Sequence, residues 1–184
     1  MSNLTTTQIG ELSSSQVAGL TTTAVDGFST TQLGALTTTA IDALTAPQVA
    51  SMSEPQISAV IYGFGRNQVL AMSTTQVGTL GSSDIGALST TSVAFLSTTQ
   101  VAALTSTGLM GMTTDQAPNL TGPQLVAITK TAIGGIDPAI IAAFPVISLD
   151  VFNPTQLSGF VALQTEALTM TQINSLTSAQ LSAL

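Results

Sequence analysis

The chain has 184 residues, a net charge of −7 and only 6% charged residues, against about 25% in ordinary soluble domains. Its two basic residues, Arg66 and Lys130, face nine acids, which excludes a nucleic-acid binder that must neutralise a row of phosphates. With no Cys, His or Trp, disulfides, thiolate and imidazole catalysis and the usual zinc ligands are removed together.

At the N-terminus Met-Ser-Asn runs straight into patterned sequence, without the basic and apolar segments of a cleaved signal. The expectation is an intracellular chain, one exported by another route, or a trimmed one. The longest apolar stretch, Ala139 to Ile147, is interrupted by Pro145 and falls far short of the roughly 20 residues that cross a bilayer. No transmembrane span is expected.

From residue 1 to 60 large apolar residues recur every eight positions, at Leu4, Leu12, Leu20, Phe28, Leu36, Leu44, Met52 and Val60. The phase breaks over 61–72, a twelve-residue interruption, and resumes over 73–136 at Leu80, Leu88, Leu96, Leu104, Met112, Leu120, Ile128 and Ile136. Residues 137–168 form a degenerate block with Phe144, Phe152 and Phe160 at the Leu position, and 169–184 return to consensus. With Thr5 as position 1, the unit reads [ST]-[ST]-[TSP]-Q-[IVL]-x-[AG]-L.

Each feature of the unit has a helical meaning. Positions 5 and 8 are both apolar, three apart, which suits one side of a helical turn and not the period of two of a strand. One continuous helix is excluded, because eight residues advance about 2.2 turns and the apolar stripe would rotate by about 80° per unit. Ser or Thr at position 1 is a good N-cap, and departs from Ser, Thr, Asp or Asn only at Gly81, Pro145 and Val161. Pro47, Pro55, Pro123, Pro138 and Pro154 fall at positions 2 and 3, where the first turn needs no amide. Gln at position 4, as in Gln8, Gln16, Gln32, Gln48, Gln56, Gln76, Gln100, Gln124, Gln156, Gln172 and Gln180, completes a capping box.

Ala and Gly at positions 6 and 7 let neighbouring units approach closely, and a helix of one and a half turns is unstable alone. The predicted fold is therefore an all-α solenoid with one short helix per octad. The abundance of Thr, Val and Ile leaves a β-solenoid as the alternative.

Several segments are candidate sites. The interruption holds the only Tyr and the only Arg, so Tyr62, Phe64 and Arg66 mark either a longer turn that bends the rod or a contact for another molecule. Phe144, Phe152 and Phe160 mark a thicker core or an apolar assembly patch. Asp26 and Asp42 share position 6 two octads apart, which makes a weak calcium site between stacked turns conceivable, although no D-x-D-x-D-G loop is present. A Ser nucleophile would have to recruit Lys130 as base, so the chain is expected not to be an enzyme and to need no cofactor.

The unit resembles the octapeptide runs of the type L-T-T-x-Q-[IV]-x-A-L in very large bacterial surface and extracellular proteins, over Leu4 to Val60, Met72 to Ile136 and Leu168 to Leu184. That resemblance implies type I-exported, adhesin-like proteins that are acidic, cysteine-free and without a cleaved leader, and hence an extracellular or cell-surface location.

The leading functional expectation is a structural protein that stacks end to end on its own copies into a filament, sheath or surface layer. The consensus octads running to Leu184 present core positions for such a contact. The alternatives are a stalk or spacer segment of an adhesin and an ice-binding surface of ordered Thr.

Overall fold

In the computed structural model, which describes residues 4–144 and 149–184, the octads form short helices and no described residue lies in a strand. The helices run from four residues, as in Thr30–Leu33, to seven, as in Glu54–Val60. Octad 113–120 instead ends in a 3-10 turn, Ala117–Asn119, where Pro118 removes an amide that a further helical turn would use. Pro145 lies outside the described residues.

The caps follow from the side chains at positions 1 and 4. In octad 97–104, Ser97 Oγ accepts from the Gln100 amide at 3.2 Å, and Gln100 Oε1 accepts from the Ser97 amide at 2.8 Å. This reciprocal pair satisfies two of the orphan donors at a helix start. Gln68, Gln116 and Gln164 make the same bond to the position-1 amide and join the glutamines expected from the pattern. Pro47, Pro55, Pro123, Pro138 and Pro154 each occupy the first turn.

Between helices the chain turns through two extended residues, as at Leu104 (φ −61°, ψ 140°) and Thr105 (φ −95°, ψ 165°). No described residue has a positive φ, so the corner needs no left-handed glycine. The position-8 amide folds back on the position-5 carbonyl, as from Leu104 to Val101 at 3.1 Å.

Stacking pairs each octad with the third one after it. Helix Thr6–Gly10 packs on Thr30–Leu33, Ser14–Ala18 on Thr38–Ile41, and Thr22–Asp26 on Ala46–Ser51. The chain therefore climbs as a three-sided solenoid, with one octad on each side of a regular turn. Position 5 is fully enclosed in almost every described octad, as at Val17, Leu33, Val49 and Leu109, and position 8 nearly so. Burying two such side chains per octad offsets the ordering entropy that an isolated turn of helix cannot meet.

Close stacking of the helices sets the small residues. Gly111, Gly135 and Gly159 all stand at position 7 and recur every third octad, on one side of the rod. An added Cβ there would collide with the carbonyl oxygen of Ser82, Ser106 and Lys130 respectively. Only glycine fits at these three positions.

The glutamines also tie one turn to the next. Gln100 Nε2 donates to the carbonyls of Val69 at 2.7 Å and Met72 at 2.8 Å, 31 and 28 residues earlier. The same two offsets recur for Gln48, Gln116, Gln164 and Gln172. A corner leaves carbonyls at positions 5 and 8 facing the interior, and one amide side chain of the overlying turn satisfies both. No buried polar side-chain atom among the described residues lacks a partner.

Over 61–72 the structure differs from the expectation of a longer turn. Residues 65–72 are an ordinary octad: Gly65 caps helix Arg66–Ala71, its amide donates to Gln68 Oε1 at 3.1 Å, and Val69 and Met72 are buried. What remains is the 3-10 turn Ile61–Gly63 and Phe64. These form a side of their own, packed against helices Thr38–Ile41 and Ser82–Ala87. The register shows the shortening: Gln68 and Gln76 reach Leu44 and Met52, 24 residues back, and Gln100 returns to 28. Residues 45–64 thus close a turn made of two octads and one half-length side.

In the degenerate block the three phenylalanines meet inside one turn. Phe144 and Phe152 lie 6.2 Å apart between ring centroids, and Phe152 and Phe160 6.3 Å, both edge to face at 72°. Phe144 and Phe152 are buried and Phe160 is half-buried. The rings thicken the core and pack on one another, so they offer no outward assembly patch.

Candidate functional site

Halving one side takes a bite out of an otherwise continuous wall. The floor of the resulting notch is Tyr62, Gly63, Phe64 and Gly65, with octad 37–44 on one bank and octad 89–96 on the other. The recess measures about 440 Å³ and is wide open to solvent. A second recess of about 490 Å³ adjoins it across Asp42, lined by Ala46, Asn67 and Leu70.

Each functional side chain in the notch is held by its local structure. Tyr62 is 43% exposed, and its hydroxyl donates to the Leu36 carbonyl at 3.3 Å, which fixes the ring against the wall. Phe95 stands at position 7, where most octads carry Ala or Gly, so its ring projects over the recess. Arg66 lies over that ring, with Cζ 5.1 Å from the centroid, a cation–π contact on the rim. Phe64 is buried beneath, and its carbonyl accepts from Ser92 Oγ at 2.6 Å. Ser92 replaces the usual Gln here, and its short side chain still meets the corner carbonyl.

Asp42 faces the notch from the lower bank and is exposed. A Cβ on Gly65 would collide with its Oδ1, so glycine at this cap makes room for the carboxylate. Thr38, Thr39 and Thr91 add hydroxyls that bond no other group among the described residues.

The residues singled out from the sequence are thus divided. Tyr62 lines one recess, Arg66 covers the Phe95 ring beside it, and Phe64 is its buried support. Phe144, Phe152 and Phe160 belong to the core, and Leu184, 37% exposed, lies away from the notch. Asp26 and Asp42 sit on different sides, in helix Thr22–Asp26 and after helix Thr38–Ile41, because stacked octads are three apart and these are two apart. The stacked pair imagined for calcium is therefore not formed, and no cluster of three or more acids occurs among the described residues. No described helix is long and apolar enough to cross a membrane.

Sequence reasoning missed Asp42 as a notch residue and missed Phe95, although a large aromatic at a position usually held by Ala or Gly is a legible anomaly. A shallow groove of about 300 Å³ at Met110, Gly135, Pro138, Val161 and Leu163 gathers the exposed apolar side chains that the phenylalanines do not supply.

Comparison with known families finds the ALTTAQ repeat over residues 79–114. That stretch contains octads 81–88, 89–96 and 97–104, one complete turn, and octad 105–112, which begins the next. The chain is a tandem-repeat protein in that sense. No curated protein gives a significant match.

Proposed function

Taking the chain as octads closed three to a turn, we propose that it is a structural element that self-associates end to end into an extracellular filament, sheath or surface layer. The observation that carries this is the polarity of the glutamine ladder. Turn after turn offers amide donors downward and corner carbonyls upward, so the surface that fits a turn is another turn of the same kind. A turn with nothing stacked on it leaves those groups free. A head-to-tail contact through such faces does not close on itself, which is the geometry of a filament.

Electron microscopy and light scattering over a concentration series test the proposal, with rods that lengthen as concentration rises as the expected result. A monodisperse monomer at every concentration overturns it. The resemblance to adhesin-like surface proteins favours a second reading, a stalk whose faces are filled by further octads of one longer chain. Finding these residues inside a longer reading frame flanked by more octads would support that reading.

A further inference from the structure

We infer that the rod carries a hinge between residues 53–72 and residues 73–96, held closed by Arg66 on Phe95. In a stacked array each turn is held by its neighbours alone, so the stiffness of a junction follows the packing across it. Below and above this junction the helices pack: Thr30–Leu33 on Glu54–Val60, Ala46–Ser51 on Arg66–Ala71, and Thr74–Thr79 on Thr98–Ala103. Across it the stacking fails on two sides of three. Glu54–Val60 and Thr74–Thr79 scarcely touch, and Arg66–Ala71 and Thr90–Ala94 scarcely touch either. The third side stays closed, because the 3-10 turn Ile61–Gly63 packs on both Thr38–Ile41 and Ser82–Ala87. Contact kept on one side and lost on the other two makes that side a pivot.

The cause lies in the backbone at Val60. A position-8 residue is extended at an ordinary corner, as Met52 is at ψ 140°, but Val60 has ψ −6° and runs on into the 3-10 turn. Octad 73–80 therefore ends in a corner with no matching corner beneath it. The glutamine rung is missing there too: Asp84 accepts from the Gly81 amide at 2.8 Å and carries no amide to donate downward. Gln76, on the Val49 and Met52 carbonyls at 3.1 and 2.8 Å, and Ser92, on the Phe64 carbonyl at 2.6 Å, hold the remaining two corners.

Arg66 closes the gap on one loosened side. It belongs to octad 65–72 and lies over the Phe95 ring of octad 89–96, Cζ 5.1 Å from the centroid. Position 7 is usually Ala or Gly, so this latch is particular to the junction. An exposed cation–π contact is weak, which lets it open and reclose. Val69, Met72, Val77 and Leu80 stay buried, so the motion is a tilt over a continuous core. The inference is independent of how the rod assembles.

Double electron–electron resonance on the full chain tests the hinge, with spin-labelled cysteine pairs in a protein that has no cysteine of its own. Thr30→Cys with Thr74→Cys spans the junction. Thr74→Cys with Gly122→Cys spans the same number of turns on the same side, through helices that pack. Expected is a broader distance distribution for the first pair than for the second. Arg66→Ala and Phe95→Ala should each shift the first pair toward the open pose by about two- to five-fold in population, which is what an exposed cation–π contact is worth, and leave the second pair unchanged. Arg66 is exposed and Ala is usual at position 7, so circular dichroism should be unchanged in both variants. Equal widths for the two pairs, or a first pair indifferent to both substitutions, overturns the inference.

Discussion

Gln100 Nε2 donates to the carbonyl of Met72 at 2.8 Å, in the turn below, while its Oε1 accepts from the amide of Ser97 beside it at 2.8 Å. One amide group thereby caps its own helix and locks it to the preceding turn. This dual role explains a chain with 6% charged residues that is held by hydrogen bonds at its corners and burial between them.

Replacing Gln100 with Leu should therefore be costly even though Leu is apolar and nearly as large. The Ser97 amide and the inner carbonyls of Val69 and Met72 would lose their partner, at about 1–3 kcal/mol for each buried group left unsatisfied. Gln16→Leu, whose Nε2 bonds nothing among the described residues, should cost no more than the loss of a cap interaction, about 1 kcal/mol. Urea unfolding of the two variants checks the difference, and equal losses would contradict the ladder.

Gly135→Ala should destabilise by about 1–3 kcal/mol through overpacking, because its Cβ would meet the backbone of Ser106. Gly122→Ala, whose Cβ would meet only Val151 Cγ1 at 3.9 Å, should stay within about 0.5 kcal/mol of the parent. Thermal melts read both.

Phe152→Ala removes the middle ring of the edge-to-face trio and should cost about 3–5 kcal/mol. Tyr62→Ala, which loses one hydrogen bond to Leu36 and little packing, should cost about 1 kcal/mol. Equal effects would mean that the rings do not share one core.

Deleting Ile61 to Phe64 should leave a folded solenoid. Octad 65–72 would then follow octad 53–60 directly, restoring a full third side to that turn and shifting every later octad by one side. Helical circular dichroism should persist. Collapse of the helical signal would refute the description of this segment as a separable side.

The octad, its caps and its two inward rows were legible because their partners lie within one unit: a Ser or Thr and a Gln three positions apart, and apolar positions three apart on one turn of helix. The resemblance of Gly65–Met72 to an octad was also present, in Gln68 and Met72, but the missing Ser or Thr at Gly65 hid it. The recurrence of Gly111, Gly135 and Gly159 in every third octad was a trace of the three-sided turn, visible without any structure.

The amino-acid order by itself determined that each octad makes a capped piece of helix with two buried side chains, since propensity, capping and periodicity act over a few residues. Only the tertiary structure decided that three pieces close a turn, that Gln68 reaches Leu44 while Gln100 reaches Met72, and that Asp42, Tyr62 and Phe95 share one notch. Those partners are joined by the angle at each corner and by the stacking of turns, which set side chains from octads far apart in the chain against each other with no local mark of the pairing.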